Sequence, residues 1–316
     1  MDISIIICTR NRARSLRETL NALARIRIPE DFRPELIVVD NGSDDETPGV
    51  VKEHGDRKMP LRCVCEKQRG VARARNRGLA EARGEIILFL DDDVRPCKEW
   101  IRGMCAPIVS GRAEAVAGGV QIAAHLLRPW MRETHRLLLS STESIDPHSY
   151  GPNLLISANM ALARRVLERV PRFDPELGPG AIGFCEDVLF GYQLVAAGYR
   201  IVGAPEFVVV HHFEPHRLSR DAFWNRMKLE ALSDAYMTHH WKHLESTHPL
   251  PGLLRNYCRL LSFSPRRRSV WKYDEGMSIE ELSIVSGLYS ALGALRERRR
   301  PRNYSKYGLV RLLPPD

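Results

Sequence analysis

Residues 86–96 read IILFLDDDVRP, an apolar run that ends on three consecutive acids, Asp91, Asp92 and Asp93. The run is short and rich in aliphatic residues, so it reads as a buried parallel strand rather than a helix. In open α/β sheets, ligands gather at the carboxyl ends of such strands. Extended residues alternate sides, which predicts that Asp91 and Asp93 point the same way, about 7 Å apart. One can then meet a sugar hydroxyl while the other holds a hard divalent cation, Mn2+ or Mg2+, against phosphates. An acidic solvated turn is the ordinary alternative for three acids in a row. The surrounding pattern opposes it.

The first hundred residues alternate strand and helix patterns as βαβ units do. A strand is predicted over 3–8. Ser15 with Glu18 has capping-box spacing, opening a helix with Leu16, Leu20 and Leu23 on one face. A second strand covers 35–39 and ends at Asp40, and Thr47 with Pro48 reads as the N-cap and first position of the next helix. A weaker strand follows at 61–66, then an alanine-rich helix over 70–83 closed by Gly84. Three strands thus end in polar turns, CTRNR, DNGSDD and LDDD, which a doubly wound sheet brings to one edge.

Beyond Trp100 the reading predicts strands at 115–122 and 153–158, a glycine- and proline-rich loop over 178–183, and a helix opened by Glu186 and Asp187 that stops at Gly198. Strands follow at 200–202 and 207–210, the latter running into His211 and His212, of which alternation lets only one face a site. From about Pro215 the pattern is helical, first over 219–244. Ser278 with Glu281 then caps a helix presenting Leu282, Val285, Leu288, Leu292 and Leu295.

Composition narrows the class. With 316 residues, 44% of them hydrophobic, the chain can bury one large core or two modest ones. No apolar stretch is long enough to span a bilayer, and seven scattered cysteines without a CxxC pair argue against zinc and a disulfide framework. A reducing cytoplasm is the expected compartment. The net charge of +8 includes clusters at Arg266–Arg268 and Arg296–Arg302. Nucleic acid is not the expected partner, because no interleaved aromatics or recognition signature accompany them.

In chain order, IIICTRNRARSL, IVVDNGSDDET, GVARARNRGLAEARGEIILFLDDD, SANMALARR with RFDPELG, and the ED pair ahead of AAGYRI resemble the inverting glycosyltransferases of family 2. The likeness covers roughly residues 3–219. It implies a GT-A fold: an α/β, doubly wound, mostly parallel Rossmann-like sheet with a helical C-terminal extension. It also implies a nucleotide-diphosphate sugar donor, UDP-sugar being favoured as the commonest in the family, a Mn2+ or Mg2+ ion, and transfer to the hydroxyl of a carbohydrate or lipid-linked acceptor, as in cell-surface polysaccharide or glycolipid synthesis. The expected division is residues 1–125 for the nucleotide sugar, 126–214 for the acceptor side and 215–316 for the helical region.

Carried onto this sequence, the resemblance places Thr9, Arg10 and Asp40 at base and ribose, with Asn41 where a second acid often stands, Arg75 near the nucleotide, Asp91 on the ribose and Asp93 on the metal. Asp92 is grouped with the nucleotide residues or points away and steadies the loop. His211 is the expected further metal ligand. Asn159, Met160, Arg164 and Arg165 fall in a segment that lines the donor-sugar and acceptor side, although core packing suits Met160 equally. Asp187 is the expected general base, at a helix start that favours a carboxylate anion, and Glu186 orients the acceptor or shares the role.

Rival enzymes are disfavoured, since CTRNRARSL lacks the glycines of a nucleotidyltransferase loop and no GxGxxG follows an early strand. A degenerate, sugar-nucleotide-binding scaffold subunit is the remaining alternative. Finally, the apolar stripe of 278–295 followed by RERRRPRNYSK predicts peripheral contact with the anionic inner face of a membrane, against the competing reading that the stripe packs on the catalytic domain or a second subunit.

Overall fold

The computed structural model describes residues 1–55, 58–146, 149–244, 249–262 and 275–312. The Arg266–Arg268 cluster lies outside them. The chain order is β1 (Asp2–Thr9), α1 (Ala13–Leu23), β2 (Arg33–Asp40), α2 (Thr47–His54), β3 (Leu61–Cys65), α3 (Val71–Glu81), β4 (Ile86–Asp91), β5 (Val94–Pro96), α4 (Trp100–Val109), β6 (Ala115–Ile122), α5 (Glu133–Leu138), β7 (Asn159–Ala163), α6 (Glu186–Ala196) and β8 (Ile201–His211). Three helices follow, α7 (Arg220–His240), α8 (Pro249–Ser262) and α9 (Ile279–Glu297).

Among the described residues, eight strands form one sheet in the order β3-β2-β1-β4-β7-β6-β8-β5. β1 pairs in parallel with both β2 and β4, so the strand order reverses there, and the polar turns after these strands meet at one edge as expected. The sheet is more mixed than the sequence suggests. β7 runs antiparallel to β4 and β6, and β5 antiparallel to β8. Ile3, Ile5, Ile6 and Ile7 of β1 and Ile86 through Leu90 of β4 are buried, as a strand covered on both faces requires.

Several boundaries move for identifiable reasons. α1 begins at Ala13, ahead of the predicted Ser15 cap, because Asp45 of a neighbouring loop accepts the Ala13 amide at 3.1 Å. Asp45 likewise serves Thr47 at the start of α2. The strand expected at 153–158 is instead a short 3-10 turn at Pro152–Leu154, and the chain extends only from Asn159. There the Asn159 amide donates to the Gly119 and Phe207 carbonyls and accepts from the Trp100 indole, each at 2.8 Å. The two strands expected at 200–202 and 207–210 are one, β8, with a register shift opposite Gly118 and Val120.

The apolar stripe of α9 is not free. Leu282 and Val285 are buried with Leu218, Phe223 and Met277 in a second core, and Gly293 lets α9 approach α7 so closely that an added Cβ would lie 2.6 Å from the Ala235 Cβ. Leu282, Val285 and Leu288 of the stripe thus pack on protein, as the competing reading held, while Leu292 is 39% exposed.

Candidate functional site

Pairing of β5 with β8 builds one corner of the site. Val94 stands opposite His211, and the His212 amide donates to the Asp93 carbonyl at 2.8 Å, which draws the acidic run to the end of β8. His211 is the buried member of the histidine pair. Its Nδ1 faces the Leu139 carbonyl at 3.1 Å, and Nε2 lies 3.4 Å from Asp93 Oδ2. His212 turns to His125, ring centroids 5.5 Å apart, and burial pushes its pKa down to about 4.

Asp93 is 2% exposed, and its Oδ1 has no hydrogen-bond partner. Burial alone would raise its pKa, but His211, Arg12 and Arg217 hold the carboxyl far below its ordinary range. A buried carboxylate with one oxygen unpaired and the other 3.4 Å from an imidazole nitrogen fits a hard or borderline divalent cation. Among the described residues no three His, Cys, Asp or Glu side chains form a metal-holding group.

Strand alternation stops at Asp91, because Asp92 and Asp93 form a turn between β4 and β5. Arg12 fills that turn, donating through Nη1 to Asp92 at 2.7 Å and through Nη2 to Asp93 at 2.6 Å. Asp92 also accepts the Thr9 hydroxyl at 2.7 Å, while its carbonyl accepts Thr19 at 2.8 Å. Burial pushes Asp92 up to about 7 despite Arg12. Asp92 and Thr9 are thus joined to each other, consistent with a carboxylate that steadies the loop.

Asp40 accepts the Ser43 amide and hydroxyl through Oδ1, closing the turn after β2. Arg10 reaches the Gly42 carbonyl at 3.3 Å from an accessible position. The Asn41 side chain is fully used: its amide donates to the Glu66 and Gln68 carbonyls, and its oxygen accepts the Gly70 amide at 2.9 Å. Asn41 therefore shapes the entry to α3. Asn159, Met160, Arg164 and Arg165 stay out of the cavity; Met160 is core, Arg164 donates to the Gly84 and Ala82 carbonyls, and Arg165 pairs with Glu114.

Arg75, buried on α3, joins two parts of the site. It pairs with Glu186 and lies 3.6 Å from Asp91. Glu186 is likewise buried, and burial together with the Asp187 charge pushes it up to about 7 against the pull of Arg75. Asp187, one residue on in the first turn of α6, accepts the Ser157 amide and hydroxyl at 3.1 and 3.2 Å.

The loop before α6 is clamped from afar. Asp174 accepts Tyr236 and Tyr304 hydroxyls at 2.7 and 2.8 Å and pairs with Arg311. Glu176 accepts Arg300 at 2.6 Å and Asn303 at 2.8 Å and also pairs with Arg311. The Ile182 amide returns to the Glu176 carbonyl, and the Pro179 carbonyl accepts the Val71 amide at 2.9 Å. Gly180, at φ +93°, comes so close to Gly70 that an added Cβ would lie 2.9 Å from its Cα. Nothing in the local sequence announces these distant anchors.

Thr9, Arg10, Arg12, Asn41, Arg75, Asp91, Asp92, Asp93, Glu186, Asp187 and His211 border one cavity of about 790 Å3 together with Gly70, Val71, Pro179 and Gly180, whereas Asp40, His212, Asp174 and Glu176 do not. Its wall also contains Ser157, Phe184, Arg217, Arg226 and Glu230, which the sequence reading did not single out. Arg226 stacks over Phe184 at 3.6 Å, and Arg217 over Phe213 at 5.2 Å. Arg12 sits inside the CTRNR turn, where its position beside the acids was the available signal; Arg217 and Arg226 belong to helical sequence and carried none.

Comparison with known proteins agrees with this architecture. The chain is 27% identical over 221 residues to glycosyltransferase AglE of Haloferax volcanii, covering 67% of each. It is 28% identical over 219 residues to a pre-mycofactocin glycosyltransferase of Mycobacterium tuberculosis, covering 66% of this chain but 42% of that protein. In structure it is similar to the mannosyltransferase PcManGT of Pyrobaculum calidifontis, solved with GDP-Man and Mn2+, at a TM-score of 0.56 and 20% identity over 93% of this chain and 74% of that one. It is also similar to S. aureus TarS residues 1–349 with UDP, at 0.53 and 18% identity over 95% and 92%. These likenesses show a GT-A fold. The model of the family described as glycosyl transferase family 2 matches residues 4–170, more than half the chain, and takes in β1 through β7 with the acidic turn; on that match the chain belongs to glycosyltransferase family 2.

Proposed function

We propose that this glycosyltransferase uses a divalent cation, Mn2+ or Mg2+, and transfers a sugar from a nucleotide-diphosphate donor to an acceptor hydroxyl with inversion at the anomeric carbon. The observation that carries the reading is the unpartnered, buried Asp93 Oδ1 beside His211, on the same cavity as Asp187. Asp93 and His211 would hold the cation. When bound, such an ion supplies Lewis-acid stabilisation of a diphosphate leaving group.

The chain's own residues do the rest. Asp187, oriented by Ser157, takes the proton from the acceptor hydroxyl as its oxygen attacks. Buried Glu186 is engaged with Arg75 and positions it toward Asp91, a supporting role rather than direct contact with the acceptor. Asp91, partly exposed at the cavity, is placed for a ribose hydroxyl, with Asp40 and Arg10 on the nucleotide side. Residues 1–125 supply the donor side and 126–214 the acceptor side, and Arg217, Arg226 and Glu230 extend the cavity wall into the helical region.

A UDP-sugar is the favoured donor, supported by the solved neighbour that carries UDP, while PcManGT carries GDP-Man. The acceptor class is a carbohydrate or a lipid-linked carbohydrate. The test is a thermal-shift panel of UDP, GDP and dTDP with and without Mn2+, since a ligand of the folded state raises its melting temperature. Metal-dependent stabilisation by UDP, with slow hydrolysis of UDP-sugars, is the expected result; no response to any nucleotide would overturn the reading.

A further inference from the structure

Cys185, the residue before Glu186, has a left-handed backbone at φ +71°. A Cβ disfavours that conformation, and an N-cap residue ordinarily lies in the extended region and bonds the first helical turn through its own side chain. Cys185 makes no such bond. A strained residue of this kind persists only where its surroundings hold it. One face of α7 does so, carrying Arg226, Leu229 and Ser233 at spacings of three and four. Arg226 stacks over the Phe184 ring. Leu229 fills the space beside Gly183, where an added Cβ would lie 2.6 Å from the Leu229 Cβ. Ser233 is wholly buried; its hydroxyl accepts the Phe184 amide at 3.0 Å and donates to the Leu229 carbonyl at 2.9 Å.

We propose that Ser233 is a positioning residue for the transfer step. Through the Phe184 amide it keeps Cys185 left-handed, and that conformation sets where Asp187, two residues on, enters the cavity. Ser233 does not border the cavity, so it acts only through the loop. The loop is already anchored further back, where the Pro179 carbonyl accepts the Val71 amide, and Ser157 fixes the Asp187 carboxylate itself. The freedom that remains lies in the backbone of residues 183–185, which is the stretch that α7 grips. A small displacement of a reacting group is costly in rate while leaving a distant binding edge intact. The proposal rests on the reading of Asp187 as the general base.

The test is a double-substitution cycle of Ser233→Ala and Cys185→Gly on the full chain, at a temperature well below every variant's melting point. Calorimetry follows UDP binding with Mn2+, hydrolysis of UDP-glucose, GDP-mannose and dTDP-glucose gives kcat, and amide hydrogen exchange reports on residues 183–187. Ser233→Ala is expected to lower kcat roughly tenfold, keep UDP affinity within about twofold and speed exchange over 183–187. Cys185→Gly in that background should recover most of kcat, because glycine adopts φ +71° without an outside hold. A helix merely weakened at Ser233 would gain nothing from a change at 185. Unchanged exchange or parent turnover in Ser233→Ala, a matching loss of UDP affinity, or failure of the glycine to restore kcat overturns the proposal. Asp187→Asn separates the two readings: full turnover there removes the base assignment and this proposal with it, whereas lost turnover there beside parent turnover in Ser233→Ala removes this proposal alone.

Discussion

His211 Nε2 stands 3.4 Å from Asp93 Oδ2 because Val94, the residue after Asp93, is in register with His211. A three-residue strand thus joins the acid of the turn after β4 to the imidazole supplied by β8, with 117 residues between them. Asp93 is expected to be both ligand and structural counter-ion. Asp93→Asn should abolish the Mn2+-dependent part of UDP stabilisation, and, since it leaves Arg12 and Arg217 short of a buried anion, lower stability by on the order of 3 kcal/mol. Calorimetric titration of UDP with and without Mn2+ on the folded variant checks this; undiminished metal dependence removes Asp93 from the ligand set.

Arg12 bridges Asp92 and Asp93, so its loss leaves two adjacent buried carboxylates facing each other. Arg12→Ala should cost about 2 kcal/mol, a figure kept below that of a fully buried pair because the arginine is partly exposed. Added Mn2+ should recover more melting temperature in the variant than in the parent, as a bound cation replaces the missing charge. An equal Mn2+ response in both proteins would sink this account.

Asp187→Asn should preserve donor affinity within a few fold and reduce turnover by roughly 10² or more. The hydrogen bonds from Ser157 can persist to the amide oxygen, so the melting temperature should change little. Turnover near the parent value would leave Asp187 a helix-capping acid.

Acid should loosen the loop before α6. Burial raises the Glu176 pKa, but Arg300 and Arg311 outweigh it and hold the folded value below 4.5. A depressed folded pKa means that the contribution is complete above pH 4.5 and disappears as pH falls through the folded value. Glu176→Gln should therefore flatten the fall in melting temperature between about pH 5 and pH 3. A variant that follows the parent curve across that window would exclude Glu176 as a source of acid sensitivity.

The sequence made residues 1–125 the most legible because their strands are continuous aliphatic runs and their helices have apolar faces of regular period. β1, β2 and β4 and the burial of Leu16, Leu20 and Leu23 follow from those patterns alone. β5 did not, since VRP is too short for periodicity and contains a proline, yet its pairing selects His211 over His212. Residues 153–158 misled because Leu154, Leu155 and Ile156 imitate a strand while Pro152 starts a turn. Arg12 escaped notice because an arginine in a polar turn ordinarily reads as solvated, and Asn41 was given a ligand role that three backbone contacts already occupy.

The clamp on Asp174 and Glu176 also orders events in time. Its partners lie up to 137 residues further along the chain, as Arg311 does from Asp174, so these contacts close some of the longest loops in the molecule. Contacts of such sequence separation carry a large closure entropy and form late in folding unless a nucleus already holds their ends together. The sheet can assemble from neighbouring βαβ units before that happens. The approach to Glu186 and Asp187 is therefore expected to take its native shape after the strand ends that carry Thr9, Asp40 and the acidic turn.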